Sequence, residues 1–449
     1  MARALIVLAA GQGTRMNSDM PKVLHKLAGL TLLEHSLKAA AELKVDCTVI
    51  ITGPDMPSLE AKAAELEATT VLQTERLGTG HAVLAAEKAL ADFDGEVIIL
   101  LGDTPVMNQT TVPEMSAALA SADLVALGFP TADPTNYGRF VMDGDQLTRI
   151  VEHKDATDEE RMITLCNSGV FAAQKSTLYD LCHAIKNENS QSEYYLTDIV
   201  EIANTKGLTT HAVKVPQGEC GGINSRAELA EAEARFQTTA RQNAMRDGVT
   251  LQAPETVFFS HDTHLGRDVL VEPNVIFAPG VTVESDAHIR AFSHLEDAHV
   301  GARAVVGPYA RLRPGTELGN DTKIGNFVEI KTADIGEGAK VNHLTYVGDA
   351  TIGARTNIGA GTVVCNYDGV MKHRTEVGED VFIGSNTLLV SPVKVGDAAM
   401  TATGSVISTD VPDGALAIAR ARQENKPGLA VKLFQKLRAQ KARKVKKDS

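Results

Sequence analysis

The sequence predicts two unlike folds in one chain: an α/β domain built on a mostly parallel sheet, followed by a parallel β-helix of hexapeptide repeats. Three observations carry this expectation. First, the apolar run Ala4-Leu-Ile-Val-Leu8 ends in a glycine-rich turn, and apolar runs keep alternating with Ala/Leu/Glu-rich stretches as far as residue 225. Strands alternating with helices predict a parallel sheet covered on both faces. Second, after about residue 250 the helical pattern stops and one aliphatic residue recurs at every sixth position. Third, the stretch Ser225–Phe236, continuing to Met245, is rich in Ala, Glu and Leu and is a strong helix former. It reads as a connecting helix, or alternatively as a surface helix of the first domain. The expected division is 1–225, a linker helix at 226–248, the β-helix at 249–427 and a basic tail at 428–449.

At 449 residues the chain exceeds what one core usually holds, which fits two or more domains. A net charge of −13 argues against a general nucleic-acid binder. The five cysteines, Cys47, Cys166, Cys182, Cys220 and Cys365, are odd in number and lack CxxC spacing. That disfavours disulfides or a zinc site and fits a reducing compartment. No apolar run reaches membrane length, and the N-terminus opens on a strand pattern, so a cytoplasmic protein is expected.

In chain order, the first strand runs into Leu8-Ala-Ala-Gly-Gln-Gly-Thr-Arg15, followed by Met20-Pro21-Lys22. Glycines at 11 and 13 let backbone N–H groups approach a phosphate, and Arg15 and Lys22 add positive charge. An ordinary strand-to-helix turn is the plainer reading. The spelling excludes the common P-loop, having no Gly-Lys-Ser/Thr, and the dinucleotide fingerprint, lacking the third glycine. A helical stretch is expected from Leu32 to Leu43 and a strand over Cys47–Thr52. Gln73-Thr-Glu-Arg-Leu-Gly-Thr-Gly-His-Ala82 then enters a helix around Val83–Leu90. Gln73 can pair with a base edge, and Gly78 with Thr79 allows close approach, although Thr79 could be a simple cap. The strand Val97–Leu101 ends in Gly-Asp, and Asp103 at a buried strand's carboxyl end is costly unless it binds something. A Mg²⁺ ligand and an Asp cap are both open. Asn136-Tyr-Gly-Arg139, Ile150-Val-Glu-His-Lys154 and Cys166-Asn-Ser-Gly169 read as hairpins or turns, and Glu193-Tyr-Tyr-Leu-Thr-Asp198 as a helix start.

LAAGxGTRM followed by PK resembles the nucleotidyltransferases that join a sugar 1-phosphate to a nucleoside triphosphate. The resemblance implies a Rossmann-like domain in which Leu8, Ala9, Ala10, Gly11, Arg15 and Lys22 cradle the triphosphate. It implies that Gln73, Gly78 and Thr79 read a pyrimidine and that Gly138, Glu152 and Asn167 hold the sugar. Asp103 and Asn224, the latter in Gly222-Ile-Asn224, would bind Mg²⁺. The family usually carries an aromatic before Gly-Asp; here that residue is Leu101.

In the second half the sixth positions are Val300, Val306, Leu312, Leu318, Ile324 and Ile330, then Ile335, Val341 and Val347, then Ile352, Ile358 and Val364, and finally Val377, Ile383, Leu389 and Val395. Val269, Val275 and Val281 place the start near residue 250. Three such units make a triangular coil, and stacked coils bury an aliphatic column. The break Cys365–Arg374 reads as a loop thrown out of a coil. Arg311-Leu-Arg-Pro-Gly315, Asn326–Lys331, His343-Leu-Thr-Tyr346 and Cys365-Asn-Tyr-Asp-Gly369 resemble the acetyltransferase half of one family, the bifunctional N-acetylglucosamine-1-phosphate uridylyltransferases/glucosamine-1-phosphate N-acetyltransferases. Both halves match it separately, over about Ala4 to Pro427.

That resemblance implies a left-handed coil and a homotrimer whose acetyl sites lie between chains. It implies His343 as general base, oriented by Glu329. Arg313, Lys331, Tyr346 and Asn357 would hold the sugar phosphate, and Asn366 and Tyr367 would line the same pocket. Ala360, Asn366, Tyr367, Ser385, Thr403 and Arg420 would meet acetyl-CoA. Thr403 departs from the family's small Ala. The implied substrates are glucosamine 1-phosphate, acetyl-CoA, N-acetylglucosamine 1-phosphate and UTP, and the product feeds bacterial cell-envelope polymers. A plainer alternative keeps only the nucleotidyltransferase active and makes the β-helix a scaffold; a lone His is often structural. The basic stretch Lys432–Lys447 reads as a solvated tail or as a steering surface for CoA phosphates.

Overall fold

The computed structural model describes residues 2–105 and 110–445. The chain divides into two units, one of residues 1–243 with 259–261, the other of residues 244–258 with 262–449.

In the first unit the strands Thr210–Lys214, Leu124–Pro130, Leu165–Gln174, Glu96–Leu101, Arg3–Leu8, Cys47–Thr52 and Thr69–Leu72 form the sheet in that order. Leu165–Gln174 runs antiparallel to both of its neighbours, and the other pairings along this path are parallel. The hairpin Arg139–Asp143/Gln146–Val151 joins the sheet through Cys166. Successive residues of the first strand feed opposite cores: Ala4 and Ile6 join one cluster, Leu5 and Val7 the other. This explains why the strand reads as unbroken apolar sequence. Two-sided burial fixes the register, so the loops at the carboxyl ends of the strands hold fixed positions.

The helix Leu32–Lys38 is shorter than expected. A capping box of Thr31 and Glu34 starts it, and it loosens after Lys38 into turns. The helix over 79–90 divides into Thr79–Ala85 and a 3₁₀ turn, Glu87–Leu90. The helix Arg226–Arg246 lays Leu229 and Ala232 on Leu27, Leu32 and Ile223.

In the second unit short parallel strands stack into three faces. One runs from Thr250–Leu251 to Leu416–Ala417, and the other two merge where Glu329–Ile335 and Tyr346–Ile352 turn a corner. Every aliphatic residue of the hexad series is buried, from Val269 to Val395. Corner glycines permit the stacking: a Cβ on Gly353 would stand 2.4 Å from the Gly378 backbone one coil on. The pattern did not disclose a buried set of threonines, among them Thr316, Thr362 and Thr387. Their hydroxyls donate to the carbonyls of Arg313, Gly359 and Gly384 at 2.6–2.7 Å, which satisfies polar groups inside the prism.

One edge of the prism is a column of left-handed residues: Phe292, Tyr309, Phe327, Leu344, Gly361, Asn386 and Gly404, all at φ between 52° and 75°. Phe292, Tyr309 and Phe327 stack at ring-centroid distances of 4.9 and 5.3 Å. That stacking offsets part of the cost of bulky residues at positive φ. The basic stretch forms an exposed helix, Leu429–Val445; residues 446–449 lie outside the described residues.

Candidate active sites

The glycine-rich loop follows the strand Arg3–Leu8. Gly13 (φ 62°) and Asn17 (φ 47°) bracket a single turn, Thr14–Met16. A Cβ on Gly13 would lie 2.6 Å from Lys22 Cβ, so the loop is folded tightly against the Pro-Lys segment. Lys22 Nζ donates to the Asp103 carboxylate and, at 2.9 Å, to Asn224 Oδ1. Three residues spread over 202 positions thus meet at one point. Asp103 stands just past the strand Glu96–Leu101. It is anchored by Ile223 N–H donating to its carbonyl at 2.8 Å and by the Thr104 hydroxyl at 3.3 Å. Among the described residues its carboxylate meets the Lys22 ammonium and the Thr104 hydroxyl. Arg15 is exposed. Ala9 N–H donates to Ile51 O, and the Ala10 carbonyl accepts from Arg76 Nε at 2.8 Å. Arg76 carries no signal in the sequence beyond a charge in a polar loop.

Gln73 is buried and donates through Nε2 to the Gly78 carbonyl at 3.1 Å, and it also meets His81 Nδ1 at 3.2 Å. Gly78 has φ 112°, and a Cβ there would sit 2.5 Å from the Tyr194 carbonyl. The Thr79 hydroxyl accepts from Leu196 N–H at 3.0 Å, which ties two loops together, and the helix start has no side-chain cap. The segment Glu193–Asp198, which carried no assigned chemistry, is therefore the wall against which Gly78 and Thr79 pack. Its Thr197 donates to Glu152 Oε1 at 3.1 Å.

Gly138, Glu152 and Asn167 come together. A Cβ on Gly138 would be 3.3 Å from Glu152 Oε1 and 3.5 Å from Asn167 Cβ, and Asn167 N–H donates to Gly138 O at 2.8 Å. Burial pushes the Glu152 carboxyl above its ordinary pKa, against the Thr197 hydrogen bond and the charge of Arg139, which favour ionisation. Asp198 beside it is pushed up to about 6, first by burial and then by Glu201, Glu152 and Asp155.

In the second unit His343 closes the strand Lys340–His343 at the prism edge. Its Nδ1 meets Asn326 Oδ1 at 2.7 Å, the residue in register one coil earlier. Within the chain the ring's partner is Asn326, where the resemblance implied Glu329. Glu329 lies on the next face, in register with Tyr346, and its carboxylate takes Arg313 at 2.8 Å. The edge also gathers Ala360, Ser385 and Thr403. Coil-to-coil bonds run from Gly361 N to His343 O, Asn386 N to Ala360 O and Gly404 N to Ser385 O, at 2.7–3.0 Å. Arg420 Cδ lies 3.9 Å from a Cβ placed on Gly404.

Arg313, Lys331 and Tyr346 share the face beyond this edge, while Asn357 stands on the face before it, between Lys340 and Phe382. Tyr346 lies over Gly348, where a Cβ would meet its hydroxyl at 2.3 Å. Asn366 is buried and donates to the Asp349 carboxylate, which Lys331 Nζ approaches at 3.6 Å. Asp349 was missed; nothing in its hexad position marks it. Tyr367 is exposed on a small hairpin held by Asp368, whose carboxylate takes His373 and two backbone N–H groups and is held down at about 2.

Residues 5–162 match the MobA-like NTP transferase domain. Residues 297–332 match the bacterial transferase hexapeptide (six repeats), and residues 374–409 the hexapeptide repeat of succinyl-transferase. The chain is 58% identical over 445 residues to the bifunctional protein GlmU of Jannaschia sp. (strain CCS1), covering 99% of this chain and 98% of that one. Against the protein of the same name from Ruegeria sp. (strain TM1040) it is 59% identical over 448 residues, covering 99% and 100%. Against that from Sphingopyxis alaskensis it is 53% identical over 447 residues, covering 99% of each. Likeness at this level along the whole length means that the chain belongs to the family of bifunctional GlmU proteins.

Proposed function

We propose that the two units carry the two reactions of one route to UDP-N-acetylglucosamine. The protein is a bifunctional uridylyltransferase and acetyltransferase. In the first unit a phosphate oxygen of N-acetylglucosamine 1-phosphate attacks the α-phosphorus of UTP, and the bond to the departing pyrophosphate breaks. The nucleophile is already ionised, so the protein's task is to place two anions together and neutralise charge as it spreads. Lys22 and Arg15 supply that charge. Gln73, Gly78 and Thr79 would receive the base, and Gly138, Glu152 and Asn167 the sugar.

The observation that carries this reading is the convergence of Asp103 and Asn224 oxygens on one cationic point, the Lys22 ammonium. An oxygen-only pair arranged around a positive charge suits Mg²⁺, which takes few protein ligands and completes its shell with phosphate and water. Asp103 and Asn224 would hold it. Bound Mg²⁺ supplies neutralisation of the phosphate oxygens.

In the second unit the amine of glucosamine 1-phosphate attacks the thioester carbonyl of acetyl-CoA. The C–N bond forms, the C–S bond breaks, and CoA departs as its thiol. With Nδ1–H held by Asn326, His343 presents Nε2 as the base for the amine proton. Arg313, Lys331 and Tyr346 would bind the sugar phosphate, and the edge residues Ala360, Ser385, Thr403 and Arg420 would bind acetyl-CoA with Asn366 and Tyr367. Asn357 and Tyr346 lie on different faces of one prism, which favours sites completed by neighbouring copies in a homotrimer. The five cysteines are free, which favours the cytoplasm. Among the described residues no helix is long and apolar enough to cross a membrane.

Paired assays on Asp103→Ala and His343→Ala test the reading. Asp103→Ala should lose pyrophosphate release while retaining CoA release, and His343→Ala the reverse. If the unmodified protein releases no CoA with glucosamine 1-phosphate and acetyl-CoA, the β-helix is a scaffold and His343 a structural histidine.

A further inference from the structure

The first turns of the helix Arg226–Arg246 hold the phosphate loop and the cation point from behind. Glu228 Oε2 accepts from Asn224 N–H at 2.5 Å, and Glu233 Oε2 accepts from Ala28 N–H at 2.8 Å. Ahead of both, at the helix start, Arg226 reaches residues about two hundred positions earlier in the chain. Its Nε donates to the Met16 carbonyl at 3.2 Å, and its Nη1 donates to His25 Nδ1 at 3.3 Å. Both targets lie at informative places. Met16 ends the single turn that carries Arg15, in a loop bracketed by two left-handed residues. His25 follows the turn Lys22–Leu24 and donates its own backbone N–H to Lys22 O at 3.2 Å, closing the segment that presents Lys22.

We propose that Arg226 is a positioning residue for uridylyl transfer: one guanidinium fork fixes the Arg15 turn and the Lys22 turn relative to each other. The inference rests on the uridylyl reading of the first unit. A guanidinium suits this work because it offers several donors in one rigid plane, which an ammonium cannot imitate. To accept from Arg226, His25 must be neutral with its proton on Nε2. Its burial and the adjacent guanidinium charge both hold it in that state. Among the described residues Nε2 itself is buried without a hydrogen-bond partner, so the contact with Arg226 is the ring's polar anchor there. Without the fork, the Met16 carbonyl and the His25 ring lose their shared tie. Arg15, which is exposed, would then sample positions away from the triphosphate.

The test uses the full chain with Arg226→Met, Arg226→Lys and His25→Ala. Pyrophosphate release is measured against UTP and against N-acetylglucosamine 1-phosphate, and CoA release is measured in the same preparations. Losing a charge-assisted hydrogen bond of this kind should raise KM for UTP about tenfold in Arg226→Met. KM for the sugar phosphate and the rate of CoA release should stay unchanged. Arg226→Lys should recover part of the loss, and adding His25→Ala to Arg226→Met should cost little more. A KM for UTP within about twofold of the unmodified protein, or a uniform fall in both activities, overturns the proposal. If Arg226→Met does not fold, the Lys variant decides by the same split between the two KM values. An unmodified protein that releases no pyrophosphate sinks the uridylyl reading and this inference with it; an active one with an unaltered Arg226→Met sinks this inference alone.

Discussion

Gly13 stands at φ 62°, with the Cβ of Lys22 2.6 Å from where its own would be. Alanine there meets both a left-handed backbone and a contact that only movement of Lys22 relieves. Gly13→Ala should therefore lower pyrophosphate release by at least about tenfold, while CoA release stays intact. Equal loss of both activities would instead mean that the whole chain is destabilised. Lys22 and Asp103 could be singled out from their own surroundings, glycines before a lysine and an acid after a buried strand, whereas Asn224 was reached only through the family resemblance. Arg76, Thr197 and Asp349 were not legible. Their partners are Ala10, Glu152 and Asn366, which only folding brings near, and charged or hydroxyl residues in loops are too common to single out.

At the scale of the element, the hexad period located the coils but not which side chains meet across them. Asn326 precedes His343 by 17 residues, one full coil, and lands beside it. Glu329 is nearer in sequence yet has turned the corner onto the next face. Spacing within a coil selects the face; spacing by a whole coil selects the neighbour. A consequence can be measured. Asn326→Ala leaves Nδ1 of His343 without its acceptor and frees the ring, so kcat/KM for acetyl transfer should fall about tenfold or more. Asn326→Asp keeps an acceptor oxygen in place and should retain most of the rate, with pyrophosphate release unchanged in both variants. An Asn326→Ala protein with full acetyl transfer would remove Asn326 from the account. Helix limits were the least legible feature of the first unit. The stretch from Leu32 ends at Lys38, with Ala39 as its cap, because the following Ala40–Leu43 close turns instead of helical bonds, and an alanine-rich sequence does not announce that.

The whole chain joins a doubly covered sheet, cooperative across its layers, to a stack in which each coil touches only its neighbours. Damage inside the stack should accordingly stay in the stack. Leu295 is fully buried, in register between Phe277 and Leu312, and its column reaches His343's coil only through Leu312 and Ile330. Leu295→Ala deletes buried methyl groups and leaves a cavity that the stacked backbone, fixed by parallel hydrogen bonds on both sides, can collapse only in part. A cost of about 3–5 kcal/mol follows for the second unit. Because folded coils template one another, that loss should spread along the prism and lower the denaturant concentration at which CoA release disappears. Pyrophosphate release should fail at the same denaturant concentration as in the unmodified protein. The same titration followed through both products reads the two outcomes side by side. A joint shift of both activities would mean that the units unfold as one cooperative body, and that the two activities are bound together by stability as well as by sequence.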